Sequence, residues 1–83
     1  MDIQITNIDR TDAGTTVNFR GRYPVRIHHG RKYGNVEVLV ENASHKAWRR
    51  SGRTFWSWDE AKAGYKSSEM QAMLAEAEEI SNQ

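Results

Sequence analysis

The sequence predicts an α+β fold, an antiparallel β-sheet of about four to six short strands with a C-terminal helical segment packed on one face. Two observations predict it. Apolar and polar residues alternate with period two in several short runs before Trp56, and after Trp56 the apolar spacing becomes that of a helix. Residues 1–83 read as a single domain, mainly strands over 1–56 and helical over 57–83, with no internal repeat and no linker.

In IQITN, Ile3 and Ile5 alternate with polar residues, as in a half-buried strand. DRTDAGT follows with Asp12 and Gly14, residues suited to a tight reversal. TTVNFR then sets Val17 and Phe19 on one face and Asn18 and Arg20 on the other, so the two runs form a β-hairpin. Gly21 interrupts the pattern. Pro24 cannot donate to a ladder and belongs at the start or edge of the next strand, which carries Val25 and Ile27. HGRKYGN reads as a loop punctuated by Gly30 and Gly34. VEVLVE is the clearest strand, with Val36, Val38 and Val40 on one face and Glu37, Leu39 and Glu41 on the other.

The stretch KAWRRSGRTFWSW, residues 46–58, reads as a tight hairpin with Ser51-Gly52 in a loop of about two to four residues. A two- or four-residue loop would set Trp48 opposite Phe55. Ser57 followed by Glu60 is a capping box that opens a helix, with Trp58, Ala61 and Tyr65 on one face and Gly64 near its end. Ser68 with Gln71 reads as a second capping box. Met70, Met73, Leu74 and Ala77 then form an apolar stripe towards Ile80, opposite Glu76 and Glu79.

Core material is scarce. Ile, Leu, Val and Phe number 14 of 83, at the edge of the range where a strongly charged chain would be disordered. The net charge is only +1, and three Trp and three Tyr add large apolar surfaces. The chain therefore folds with a thin core, for which dimerisation or docking would add stability. It has no cysteine, which excludes disulfides and thiolate zinc sites. No apolar run approaches the roughly 20 residues of a membrane span. The start MDIQITNIDR has neither the basic nor the apolar region of a signal peptide, so a cytoplasmic location is expected.

The small net charge conceals an uneven distribution: −2 over residues 1–19, +7 over 20–53 and −4 over 54–83. A basic middle between acidic ends predicts one face built for anions, if the strands bring those residues together. Its candidates are Arg20, Arg22, Arg26, Arg31, Lys32, Arg49, Arg50 and Arg53, with Trp48, Trp56 and Tyr23 nearby. The planar guanidinium suits bidentate contact with phosphate or carboxylate, and the aromatics could stack on bases. Arg, Trp and Tyr are also the residues enriched at protein hot spots, so composition does not separate the two uses.

Chemistry is harder to place. His28 and His29 are adjacent in a strand, point to opposite faces, and cannot easily share a ligand. No nucleophile elbow or phosphate loop of recognised spacing occurs, and the carboxylates gather in the C-terminal helix. No catalytic residue, metal ligand or cofactor is expected. The Met stripe has core spacing.

The size, the cysteine-free αβ layout and the tail FWSWDEAKAGYKSSEMQAMLAEAEE resemble the small accessory proteins of bacteriophages and other mobile elements, including the anti-CRISPR inhibitors of bacterial immunity. The resemblance implies a non-enzymatic inhibitor in the host cytoplasm that sterically occupies a protein or ribonucleoprotein complex. Members that mimic nucleic acid are usually acidic, and the basic middle departs from them. The expected anchors are Arg49, Arg50 and Arg53 with Trp48 and Trp56. The alternative is a nucleic-acid-binding module that uses the same residues with Arg20, Arg22 and Arg26.

Overall fold

The computed structural model describes residues 3–32, 35–43 and 50–83. Five strands, β1 (Gln4–Thr11), β2 (Gly14–Arg20), β3 (Pro24–Lys32), β4 (Asn35–Ala43) and β5 (Arg50–Phe55), precede two helices, α1 (Trp58–Ala63) and α2 (Ser68–Ser81). The strands form one antiparallel meander in chain order, β1-β2-β3-β4-β5. The helices cover one face. This is the α+β arrangement that the change of period predicts.

The core lies between that face and the helices. Val17 and Phe19 from β2, Val25 and Ile27 from β3, Val38 and Val40 from β4, and Phe55 from β5 are buried against Trp58 and Ala61 of α1 and Met73, Leu74, Ala77 and Ile80 of α2. The period-two pattern is thus the register itself: Val17 pairs with Ile27, Ile27 with Val40, and Val38 with Phe55. Opposed residues of an antiparallel ladder share a face, so one apolar set of every second residue builds the whole floor of the core. At β1 the count slips. Ile5 pairs with Phe19 and Asn7 with Asn18, leaving Thr6 as a bulge whose hydroxyl donates to the Asn18 carbonyl at 3.2 Å.

The first turn depends on close backbone approach. Asp12 and Ala13 reverse the chain, and the Ala13 carbonyl accepts the Arg31 N–H of β3 at 3.0 Å. Gly14 sits opposite Gly30 with φ of 145°, a conformation that L side chains rarely adopt. The two glycines let the turn fold down onto β3. This also corrects the reading of HGRKYGN as a loop. His29, Gly30, Arg31 and Lys32 continue β3 and pair with Val38, Glu37, Val36 and Asn35. Gly30 is there because a neighbouring backbone lies on it, and it ends no strand.

The predicted Ser51-Gly52 hairpin is also corrected. Ser51 and Gly52 lie inside β5, paired with Asn42 and Glu41, and Phe55 faces Val38 rather than Trp48. Asp12 and Ala13 interrupt the pairing between β1 and β2, whereas the β4–β5 ladder runs through Ser51 and Gly52 without a break, so Ser-Gly by itself does not mark a reversal. Trp48 and Arg49 lie outside the described residues.

Ser57 caps α1 by accepting the Glu60 N–H at 3.1 Å, as predicted. The second cap falls one residue earlier than predicted, at Ser67, which accepts the Met70 N–H at 3.1 Å. Gln71 is therefore not its partner. Its side-chain amide donates to the Lys62 and Tyr65 carbonyls at 2.5 and 2.6 Å, satisfying acceptors left over at the end of α1. Lys62 pairs with Glu78 at 2.5 Å and ties the two helices again. No helix among the described residues is long and apolar enough to cross a membrane.

Candidate functional site

With the helices on one side, the other side of the sheet is left uncovered by the described residues, and it is concave. Asn7 and Asp9 of β1, Thr16 and Asn18 of β2, Arg26 and His28 of β3, and Leu39 and Glu41 of β4 line a depression of about 470 Å³. These are the residues between the core positions, two from each of four strands. Pairing sets them in rows: Asn7 against Asn18, Asn18 against Arg26, Arg26 against Glu41. The Arg26 Nε donates to the Asn18 side-chain oxygen at 3.2 Å, and Thr16 Oγ1 shares a hydrogen bond of 2.7 Å with His28 Nδ1. The floor is thus pre-organised by cross-strand contacts, with one guanidinium against the two carboxylates of Asp9 and Glu41. It carries no surplus of positive charge.

The predicted anchors whose side chains are described are spread over the molecule rather than gathered on this face. Arg26 lies in the floor. Arg20 and Arg22 are exposed at the end where β2 turns into β3, and the Arg22 guanidinium lies 5.6 Å from the centre of the Tyr23 ring. The Arg22 N–H is held by Glu69 of α2 at 3.0 Å. At the same end the Ala43 and Arg50 backbones pair, next to the pairing of Val25 with Asn42. Arg31 is exposed towards the opposite end of β3. Trp56, just beyond β5, is the most exposed large apolar residue described, at 64%. The side chains of Lys32, Trp48, Arg49 and Arg50 lie outside the described residues.

Arg53 has a different position. It pairs with Val40, a core residue, so its side chain leaves the sheet on the helix side. Its Nη1 donates to the Gly64 carbonyl at 2.9 Å, and its guanidinium stands 5.0 Å from the centres of both the Phe55 and Tyr65 rings. Burial pushes the Tyr65 phenol above its ordinary pKa, and the neighbouring Arg53 partly opposes this. Arg53 thus ties β5 to the end of α1. Sequence reasoning missed this because the cation was counted with its neighbours in the chain, whereas the strand sends it to the core side.

The two histidines separate as adjacent strand residues must. His28 belongs to the open floor. His29 stacks on Trp58 on the helix side, with ring centres 5.0 Å apart. Burial, and secondarily His28, hold its pKa below the ordinary value, against a smaller opposing effect of Glu78. The unfolded chain therefore binds a proton first as pH falls. The His29 contribution should be complete above the ordinary value of 6.5 and be lost progressively below it. Thermal melts across that window should show a modest acid-side decline in Tm, and His29→Asn should flatten it. An unchanged slope in the variant would assign the decline to other groups.

No protein-family model, curated protein or solved structure matches this chain.

Proposed function

We propose that this chain is a non-enzymatic binding protein that acts by occupying the surface of a folded partner, as the phage-encoded inhibitors of host defence complexes that it resembles do. The observation that carries this reading is the helix-free face: concave, pre-organised, rich in amide and hydroxyl groups, and mixed in charge. Asp9 and Glu41 in the floor would repel a phosphate backbone, whereas paired donors and acceptors suit the polar surface of a protein. Trp56 at the end of β5 supplies the exposed aromatic that commonly anchors such interfaces.

The exposed Arg20 and Arg22 beside Tyr23 favour the second reading, contact with nucleic acid at the end of the sheet. The two readings separate in a pair of assays. Labelled single- and double-stranded DNA and RNA should bind weakly at low salt. Expression in bacteria whose RNA-guided defence restricts a phage should restore plaque formation. Trp56→Ala and Asn7→Arg should abolish that restoration without lowering Tm, since both residues are exposed. Tight nucleic-acid binding with a log–log salt slope near about −3 to −4, some four phosphates neutralised, would replace the protein-partner reading.

A further inference from the structure

Among the described residues β1 has β2 as its only neighbour in the sheet, and none of them pairs with its other edge. All eight of its residues are exposed. They include Ile5 and Ile8, which pair with the core residues Phe19 and Val17 yet remain 43% and 42% accessible. Both stand on a shelf beside α2, which packs chiefly over β2 and β3. Arg10 crosses from the end of this shelf to donate to the Ile80 carbonyl at 3.0 Å and to Gln83 at 3.4 Å. Natural sheets usually guard an open edge with lysine, proline or a very short strand. β1 has eight residues and neither lysine nor proline; the bulge at Thr6 is what interrupts it.

We propose that this edge takes a second copy of the chain, with two β1 strands pairing antiparallel about a twofold axis at Ile8. The inference is independent of what the open face binds. Opposed residues must lie on the same side of the joined sheet. Asn7 and Asp9 face the open side, and Ile8 and Arg10 the helix side. An axis at Asp9 would oppose two carboxylates, and one at Arg10 would oppose two guanidinium groups. An axis at Asn7 would run Asp9 into Ile5 across the bulge, with their faces mismatched. At Ile8 faces and charges agree from Asn7 to Asp9, and the first mismatch, Ile5 with Thr11, falls beyond the Thr6 bulge. Ile8 meets its own symmetry mate, each Asn7 amide meets the other copy's Asp9 carboxylate, and the two Ile5–Ile8 shelves merge between the paired α2 helices. The product is a continuous sheet of twice five strands with two helix-free faces side by side.

Sedimentation at about 100 µM, where a contact of micromolar affinity is occupied, is expected to show a species of twice the 9.6 kDa chain mass. Ile8→Lys should return it to a single chain, whereas Val36→Lys, at a 45% exposed apolar residue on β4, should leave the dimer intact. The register has its own test. Asn7→Asp sets two carboxylates against each other and should weaken the dimer at least tenfold; adding Asp9→Asn restores the amide–carboxylate pairs and should recover it. These polar exchanges at exposed positions keep the test valid if Ile8→Lys fails to fold. A monomeric parent, a dimer that survives Ile8→Lys, or a double exchange without recovery overturns the proposal.

Discussion

Gly14→Ala is expected to destabilise the fold by about 2–4 kcal/mol, combining strain at an unfavourable backbone conformation with overpacking. A β-carbon at Gly14 would lie 2.2 Å from the His29 carbonyl oxygen and 2.6 Å from the Gly30 Cα, and both obstacles are backbone. Neither can rotate away as a side chain would. Gly30 is constrained from the other side, where an added β-carbon would come within 2.1 Å of the Ala13 carbonyl oxygen. The turn would have to lift off β3 and give up the Ala13–Arg31 hydrogen bond. Domains of this length have total stabilities of about 4–12 kcal/mol, so the variant should melt well below the parent. Urea titration checks this directly. A midpoint equal to the parent's would mean that the turn can sit elsewhere without loss.

Arg53→Ala is expected to cost about 1–2 kcal/mol, since it removes a charged hydrogen bond to Gly64 and an exposed contact with two rings. For a domain of this size that is about 4–16 °C in Tm. Arg53→Lys should recover only part of it, because an ammonium cannot lie flat between Phe55 and Tyr65 while reaching the carbonyl. Trp56→Ala, three residues away, should leave Tm nearly unchanged. This contrast matters for the function. A loss of partner binding in Arg53→Ala would report a loosened α1, and only variants that keep the parent Tm identify contact residues. If Arg53→Ala melted like the parent, the tie between β5 and α1 would be of no consequence, and Arg53 would return to the list of anchors.

The strands were legible where one face is buried. Val17 and Phe19, Val25 and Ile27, and Val38 and Val40 alternate with polar residues because the helices cover only one side, and that alternation is the direct signature of a half-buried sheet. α2 was legible for the same reason in its own period, with Met73, Leu74, Ala77 and Ile80 inward. Glycine misled in two places. Gly30 and Gly52 both read as marks of reversal, yet both lie in strands, Gly30 under the first turn and Gly52 opposite Glu41. A residue whose use is to admit a neighbour looks the same in the sequence as one whose use is to turn the chain. Serine shows a related ambiguity at Ser67-Ser68, where the cap expected at Ser68 falls on its identical neighbour.

The candidate site was less legible. Arg26 and His28 were noticed as charges or imidazoles, but the polar residues that complete the floor, Asn7, Thr16 and Asn18, carry no signal of their own. They are simply the alternate positions of strands read for their apolar members. Which basic residues share a surface depends on strand direction and pairing. Arg20 and Arg31 lie on neighbouring strands but towards opposite ends, whereas Arg53, close in sequence to Trp56, emerges on the core side.

The order of the elements also governs how the chain becomes itself during synthesis. Each strand pairs with the one made just before it, so the sheet can grow by short-range closures as the chain leaves the ribosome, which favours rapid formation. Its apolar face has no helical cover until α1 and then α2 emerge. Val17, Phe19, Ile27, Val38 and Val40 remain wet until then. A ribosome paused before Met73 and Leu74 would hold a formed but adhesive sheet, the state from which small β proteins aggregate. The helices, made after every strand they cover, thus turn a sticky ribbon into a folded protein.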